Sequence, residues 1–138
     1  MSAAIEVHRV LGPGLLEQIY ESALCVELGV SGFKFERQAE ISVRYKDVPV
    51  GRGYVDVLVE QRIVVELKAV DVVHDIHVAQ VISYLRAIRC RLGLLLNFNV
   101  LRLREGVRRI VLTTHREALP NQPNSAVSAS SAAILSCL

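Results

Sequence analysis

The sequence predicts an α/β domain in which helices pack on a central mixed β-sheet. Three observations lead to this prediction: a helical pattern at the start, a change to period-two alternation from Phe33, and an amphipathic helix followed by a continuous apolar run. The predicted order is helix, three strands, helix, strand, strand, which is typical of a sheet covered by helices. With 51% hydrophobic and 22% charged residues over 138 positions, the chain can form one globular core.

The first 30 residues predict one helical region with an interruption. Residues 3–11 have helical composition, and Gly12-Pro13-Gly14 breaks the chain before a second helix at residues 15–28. Proline is tolerated in a first helical turn, so a helix that restarts near this proline is expected. Gly29 follows the apolar stripe, and we expect it to end the second helix.

The remaining elements follow from changes of period and from turn residues. They are strands at residues 33–45, 54–59 and 63–70, a helix at 75–89, a strand covered on both faces at 92–98 and an edge strand at 107–112. Lys46-Asp47 and Gly-Arg-Gly at 51–53 both indicate a break before the second strand. Residues 1–115 are predicted to form the domain, and the Ser/Ala/Pro-rich residues 116–138 a disordered tail.

Cysteine usage and hydropathy restrict the class of protein. The three cysteines, Cys25, Cys90 and Cys137, show no Cys-x-x-Cys or Cys/His ligand spacing, which argues against a disulfide framework or a zinc site. A reducing cytoplasm suits them. The sequence shows no basic leader and no apolar run of the length needed to cross a bilayer. We therefore expect a cytoplasmic protein without a membrane partner.

The net charge of +2 conceals an uneven distribution. Residues 1–85 hold 8 Lys and Arg against 12 Asp and Glu, whereas residues 86–116 hold 8 Arg against one acid. Arginine pairs with phosphate through two parallel hydrogen bonds, so this segment indicates a polyanionic partner. A charged, solvated sheet edge explains it equally well. The candidate nucleic-acid contacts are Arg86, Arg89, Arg91, Arg102 and Arg104.

Two charged residues interrupt the apolar stretch VVELKAV at residues 64–70. Side chains alternate along a strand, so Glu66 and Lys68 share one face while Val65 and Leu67 take the other. An ordinary ion pair on a half-exposed strand is the simplest explanation, and other residues must decide between this and a functional site.

Asp56 is an acid in an otherwise apolar strand. If residues 60–62 form a three-residue turn, Val59 opposes Ile63 and Asp56 lies across from Glu66 on the same face. A two-residue turn without a bulge would direct the two carboxylates to opposite faces. Two carboxylates in a partly dry cleft repel each other, and a divalent cation relieves that repulsion; oxygen ligands favour Mg²⁺ or Mn²⁺.

Two helices carry further polar candidates. His77, Gln80 and Tyr84 are spaced i, i+3, i+7 and therefore lie on one helix face, next to the apolar stripe. A solvent-facing polar stripe is the alternative explanation. Glu17 lies in the second predicted helix, where an acid one turn inside often serves only the helix dipole.

The sequence resembles the GxxExxY protein family. The motif itself matches GLLEQIY at residues 14–20, and the resemblance extends over about residues 3–114. The other matching segments follow in order: VHRVLGPG (7–14), IVVELKAV (63–70), the helix with Gln80 and Tyr84, and RLGLLLNFNV (91–100). That family is assigned to the PD-(D/E)XK nuclease superfamily, so the resemblance implies a restriction-endonuclease-like αβββαβ core.

The resemblance also implies roles for particular residues. They are Asp56 as the acid of the first motif strand, Glu66 as the (D/E), Lys68 as the K, Glu17 as the additional acid that many members of the superfamily carry on their own first helix, and Gln80 and Tyr84 as the QxxxY element. One departure lies at residues 53–56, where the spacing from the Arg that commonly precedes the acid is one residue short.

These assignments imply a nuclease that hydrolyses phosphodiester bonds in nucleic acid, with DNA as the expected substrate. Asp56, Glu66 and Glu17 would hold Mg²⁺ or Mn²⁺, and Lys68 would orient the attacking water or offset charge in the transition state. Two alternatives remain open: a nuclease-like module that binds nucleic acid or protein without cutting, and a homodimer that uses the exposed sheet edge.

Overall fold

The computed structural model describes residues 1–113, and its elements follow the predicted order. They are α1 (Ser2–Leu11), α2 (Glu17–Val30), β1 (Phe35–Tyr45), β2 (Val48–Val59), β3 (Ile63–Lys68), α3 (Asp75–Ile88), β4 (Leu92–Asn97), a short 3₁₀ helix (Leu103–Gly106) and β5 (Val107–Val111). The tail predicted at residues 116–138 lies outside the described residues. Over residues 1–113, none of the helices has the length and apolarity that a membrane span requires.

The five strands form one mixed sheet in the order β1-β2-β3-β4-β5. β3 and β4 are parallel and the other pairs are antiparallel. Parallel neighbours need a crossover connection, and α3 supplies it. Every residue of β4 is buried, as its continuous apolar run predicts, and β5 is the edge strand expected there.

Two apolar cores lie on opposite faces of the sheet. On one face α1 and α2 pack against the sheet through residues that include Leu24 and, from β3, Leu67. On the other face α3 packs through Val81 and Leu85, which meet Val64 of β3. Burial of each such side chain contributes about 1.5–3 kcal/mol to the stability of the fold. Because the side chains of β3 alternate between the two faces, the strand contributes to the packing of helices on both sides of the sheet.

Tyr20, the tyrosine of the GLLEQIY motif, is a structural anchor. Its Oη donates to the Gly12 carbonyl at 2.6 Å and accepts the Leu15 N–H at 3.1 Å. Its ring stacks on Phe98 with 4.5 Å between the centroids. Gly12 has φ 69°, a conformation that glycine adopts readily. Tyr20 therefore closes the loop between α1 and α2 and places Glu17 in the first turn of α2.

The end of α2 differs from the prediction. The helix continues through Gly29 to Val30, so the prediction that Gly29 ends it is wrong. The glycine that turns the chain is Gly32, with φ 77°, and the following Phe33 donates its N–H to the Leu28 carbonyl at 3.0 Å. Composition alone does not distinguish the two glycines. Gly32 takes the left-handed conformation of a Schellman motif, in which its own N–H donates to the Gly29 carbonyl at 3.1 Å.

β2 is longer than predicted and contains the Gly-Arg-Gly segment at 51–53, so the expected break there is wrong. The turn lies earlier, at Lys46-Asp47, where both residues have positive φ and join Tyr45 to Val48 as a tight hairpin. A Cβ on Gly53 would lie 3.1 Å from Cγ1 of Ile41. Gly53 thus lies at a close approach between β2 and the Ile41 side chain of β1 rather than at a turn.

Candidate active site

The connection between β2 and β3 has three residues, so the structure selects the three-residue turn over the two-residue alternative. The paired residues are Val59 with Ile63, Leu58 with Val64, and Val57 with Val65. The next position on this register places Asp56 across from Glu66. The two carboxylates are therefore neighbours, which is the arrangement that the sequence predicted for a three-residue turn.

Asp56 lies where β2 changes face and leaves β3. Val57 is buried in the core under α2, whereas Val55, two residues earlier, is buried in the core under α3. In a regular strand these two would share a face. Gln38 of β1, at the same level, has φ 50°. Here the Asp56 side chain replaces the backbone hydrogen bonds between the strands. Its Oδ2 accepts the Leu67 N–H at 2.8 Å, and its Oδ1 lies 3.3 Å from Gln38 Nε2.

Glu66 and Lys68 form a buried ion pair on one face of β3, as the alternation predicts. Lys68 Nζ donates to Glu66 Oε1 at 2.7 Å. The Glu66 residue is only 2% exposed, and Lys68 is half-buried. Within the described part of the chain, Glu66 Oε2 is buried and has no hydrogen-bond partner. A buried carboxylate oxygen without a donor costs free energy, so this atom marks a position where a ligand would be stabilising.

The acids of this region resist ionisation. Burial, together with the charge of Asp56, raises the pKa of Glu66 to about 7. Burial also raises the pKa of Asp56, although the Leu67 N–H and the Lys68 ammonium oppose it. Burial lowers the pKa of Lys68, but the hydrogen bond that its ammonium donates to Glu66 and the charges of the surrounding acids outweigh this effect and raise that pKa overall. The site therefore combines one persistent cation with an excess of carboxyl groups.

Glu17 reaches the same region from α2. It is half-buried, and burial is the main reason that its pKa is raised. Asp56 acts in the same direction, whereas Lys68 and the Ala69 backbone amide lower the pKa. The structure thus brings Glu17 close enough to the acidic pair and Lys68 for their charges to interact.

A supporting network behind Asp56 was missed by the sequence interpretation. Glu21, one turn after Glu17 on α2, is buried and accepts from Arg37 Nε at 2.5 Å and from Gln38 Nε2 at 3.0 Å. Gln38 therefore bridges Glu21 and Asp56. The i, i+4 spacing of Glu17 and Glu21 was the available signal, since it places both acids on one helix face.

Gln80 and Tyr84 lie on α3, which covers the sheet face that Glu66 shares. Gln80 Nε2 donates to Tyr84 Oη at 2.9 Å. The Tyr84 ring lies over β2, since its Cε1 would be 3.6 Å from a Cβ on Gly53. In residues 1–113 neither side chain hydrogen-bonds the acidic pair directly. His77 has a different role, because its Nδ1 accepts the His74 N–H at 3.1 Å and caps α3.

The donor set suits a hard divalent cation. In the part of the chain that the structure describes, Glu66 Oε2 is buried without a donor, and Asp56 is close enough for its charge to raise the pKa of Glu66. The N–H and C=O of one strand residue point to the same side, so the Leu67 carbonyl faces the gap that Asp56 occupies. Among residues 1–113, no three His, Cys, Asp or Glu side chains converge on one point. Mg²⁺ commonly uses one or two carboxylates and completes its shell with water and phosphate, so the pair fits it.

Three of the five candidate arginines lie far from the acids. β4 runs parallel to β3, and its first residue, Leu92, pairs with Ile63. This end of the sheet is about 17 Å from Lys68 at ~3.3 Å per residue. The arginines at this end, all exposed, are Arg86, Arg89 and Arg91.

Arg102 and Arg104 lie at the same end of the sheet as the acids, after the last residue of β4. With Arg9 and His8 of α1 they line an open groove of about 410 Å³. His8 Nε2 lies 2.8 Å from the Val100 carbonyl, which ties α1 to the loop that carries these arginines. Arg9 is an addition to the predicted set, and only the tertiary structure brings it to the others.

The fold and the acidic pair define the class of protein. A mixed five-stranded sheet between helices, with Asp56, Glu66 and Lys68 where β2 separates from β3, is consistent with a restriction-endonuclease-like domain. The chain belongs to the PD-(D/E)XK nuclease superfamily, whose family profile matches residues 1–110. This match does not separately confirm membership of the GxxExxY family. No curated protein and no solved structure showed a match to the chain.

Superfamily membership supports a nuclease-like function. It confirms the fold that the resemblance implied. Members of this superfamily generally use divalent metal ions and act on nucleic acid, which agrees with the donor set and with the basic groove.

Proposed function

We propose that this protein is a divalent-metal-dependent nuclease that hydrolyses phosphodiester bonds in DNA. The observation that carries the proposal is the buried Oε2 of Glu66, which has no hydrogen-bond partner among residues 1–113 and lies near Asp56 and Lys68. A structural ion pair alone would not require a second buried acid at the same place, because like charges in a dry site destabilise each other.

In this proposal Asp56, Glu66 and the Leu67 carbonyl hold Mg²⁺ or Mn²⁺, and Glu17 contributes directly or through water. These residues would hold the cation beside the scissile phosphate, where it would supply Lewis-acid polarisation of the phosphate and a lower pKa for the attacking water. Asp56 is already oriented by the Leu67 N–H and by Gln38, so little side-chain freedom remains to be lost when the ligands assemble.

Lys68 supplies the fixed positive charge. Its ammonium remains protonated at neutral pH and is held by Glu66 at 2.7 Å. From this position it orients the attacking water or offsets the negative charge that develops on the phosphate. Gln80 and Tyr84 line the α3 side of the proposed site and would offer hydrogen bonds to water or phosphate oxygens.

The arginines form two groups that would contact different parts of the DNA backbone. Arg102 and Arg104, with Arg9, lie at the active-site end of the sheet and would contact phosphates near the cleavage site. The arginines at the remote end of the sheet would contact only a longer substrate. Because each phosphate contact releases counterions, binding should weaken steeply with salt.

The direct test is a cleavage assay with the purified full-length chain. Single-stranded, double-stranded and branched DNA and RNA are incubated with Mg²⁺, Mn²⁺ or EDTA. Cleavage should require the metal and should be lost in Glu66→Gln and Lys68→Ala. Glu36→Gln is the matched control, since Glu36 is an exposed acid of β1. Cleavage that persists in both active-site variants would indicate a contaminating nuclease and reject the proposal.

A second candidate function is binding of nucleic acid or protein without cleavage. It is favoured by one observation: in residues 1–113 no three acidic, His or Cys side chains converge as a ready-made metal site. Titration with Mn²⁺ by calorimetry separates the candidates. Salt-sensitive DNA binding without any metal binding would support this second function, and light scattering would show whether the chain also forms the homodimer that the exposed sheet edge allows.

A further inference from the structure

The hairpin of β1 and β2 extends beyond the body of the domain. β2 pairs with β3 only up to Val57, so the outer part of the hairpin has no third strand beside it in the described sheet. Ile41 is buried under α3, but every residue from 42 to 52 is exposed. We call residues 42–52 the free ribbon. Its two strands continue inward to Gln38 and Asp56, beside the acidic pair.

The shape of the free ribbon matches the major groove of B-form DNA. From Ile41 to Tyr45 the strand extends about 13 Å at ~3.3 Å per residue. The major groove is about 12 Å wide and 8.5 Å deep and admits a two-stranded ribbon. A register shift at Val43/Arg44 increases the local twist, which helps a ribbon to follow the groove. The deep, narrow major groove of duplex RNA does not admit such a ribbon.

The charge of the free ribbon selects a polyanion over a second copy of the chain. Its charged residues are Arg44, Lys46, Arg52 and one acid, Asp47, so the ribbon is cationic. Two such ribbons would repel each other if they paired across a dimer axis. The exposed apolar residues Val43 and Tyr45 offer contacts for thymine methyl groups on the groove floor.

We propose that the free ribbon inserts into the major groove beside the active site and makes double-stranded DNA the preferred substrate. This proposal rests on the proposed nuclease function, because it uses the position of the acidic pair to place the duplex. The free ribbon continues along β2 into Asp56, four residues after Arg52 and about 13 Å along the strand, so a duplex held by the ribbon presents a strand near the acids.

The test measures binding in the absence of cleavage. Fluorescence anisotropy of the full-length chain in EDTA is recorded with a DNA duplex, the same single strand and the same duplex as RNA, at several salt concentrations. The ribbon variant is Lys46→Ala with Arg52→Ala; Arg44 is left in place because its side chain bonds the Asp47 carbonyl in the turn. The control is Lys34→Ala with Arg109→Ala, which removes the same charge from exposed positions off the ribbon.

We expect the wild-type chain to bind duplex DNA more tightly than either other ligand. The ribbon variant should lose affinity for duplex DNA several-fold, and its salt slope should fall by about 1.8 for two lost phosphate contacts. The control should keep the wild-type preference for duplex DNA. Methylation of guanine N7, which lies in the major groove, should weaken wild-type binding and have less effect on the ribbon variant.

Three results would overturn the proposal: equal losses in ribbon variant and control, equal affinity for duplex RNA and duplex DNA, or no effect of N7 methylation. A ribbon variant that binds DNA normally but changes from dimer to monomer in light scattering would assign the ribbon to an interface between copies. The metal-dependent cleavage assay reports separately on the proposed function. If the wild-type chain cleaves DNA but the ribbon variant binds duplex DNA normally, the groove contact is rejected and the nuclease function stands. If the ribbon binds the groove but no cleavage is seen, the nuclease function is rejected and the groove contact stands.

Discussion

Lys68 Nζ lies 2.7 Å from Oε1 of Glu66, whereas Oε2 of the same carboxylate is buried without a hydrogen-bond partner among residues 1–113. One oxygen of Glu66 is thus neutralised by the protein and the other is left for a ligand. Burial and the neighbouring Asp56 raise the pKa of Glu66 to about 7, so the state of this one carboxyl controls the charge of the site near neutral pH.

Metal binding should depend on pH. A carboxyl group must be ionised to bind a cation, and the pKa of Glu66 is about 7, so Mn²⁺ binding below that pH displaces a proton. We expect affinity to rise about fivefold from pH 6 to pH 7 and to level off near pH 8. Calorimetry in two buffers of different ionisation enthalpy measures both quantities. Glu66→Gln should abolish the proton release, and pH-independent binding by the wild-type chain would contradict the assignment.

Stability without metal should change with pH in the opposite sense. The folded pKa of Glu66 is raised from 4.5 to about 7, so the folded state binds more protons than the unfolded state between these values. Stability should therefore fall as pH rises from about 4.5 to 7, by about 3 kcal/mol at most at 1.36 kcal/mol per pKa unit. Urea unfolding in EDTA measures this trend. Glu66→Gln should flatten it, and equal slopes in variant and wild type would show that other groups cause it.

Removal of Lys68 should have a pH-dependent cost. Lys68→Met keeps the aliphatic contacts but leaves ionised Glu66 in a buried site without its cation. Breaking a buried ion pair costs about 3–5 kcal/mol when the remaining charge persists. Protonated Glu66 needs no cation, so we expect a much smaller loss at pH 5.5 than at pH 8. Urea unfolding at the two pH values is the measurement, and the same loss at both would mean that packing, not charge, makes the contribution.

The hydroxyl of Tyr20 should stabilise the fold. Tyr20→Phe keeps the stacking on Phe98 but removes the hydrogen bonds to Gly12 and Leu15. We expect a loss of about 1–2 kcal/mol in thermal or urea unfolding. Tyr45→Phe is the matched control, because Tyr45 is exposed on the free ribbon. Similar stabilities for the two variants would argue against the anchoring role of this motif tyrosine.

The sequence was sufficient for the order of the elements, and it left two alternatives for the register between β2 and β3. Helical and strand periods are local properties, so both faces of β4 and the alternation of Glu66 and Lys68 with Val65 and Leu67 were predictable from short windows. A two-residue and a three-residue turn are both compatible with the sequence at residues 60–62, and the structure selects the three-residue turn, with Val59 opposite Ile63.

Tertiary contacts decided the rest. α2 ends at Val30 rather than at Gly29, because the chain turns at Gly32. Gly53 lies inside β2, where the strand closely approaches Ile41. At both positions the contacts of the folded chain outweigh the local preference of glycine. The position of Asp56 depends on Gln38 from another strand, and its support by Glu21 comes from a helix distant in sequence.

The arginines show the same limit. Their number is a property of the sequence, but their separation into two groups follows from the parallel pairing of β3 and β4, which places Leu92 beside Ile63 and far from the acids. Sequence alone thus determined which residue types and periods were present. Only the folded chain decided which of them meet, because charge interactions and hydrogen bonds act over a few ångströms in space and not along the chain.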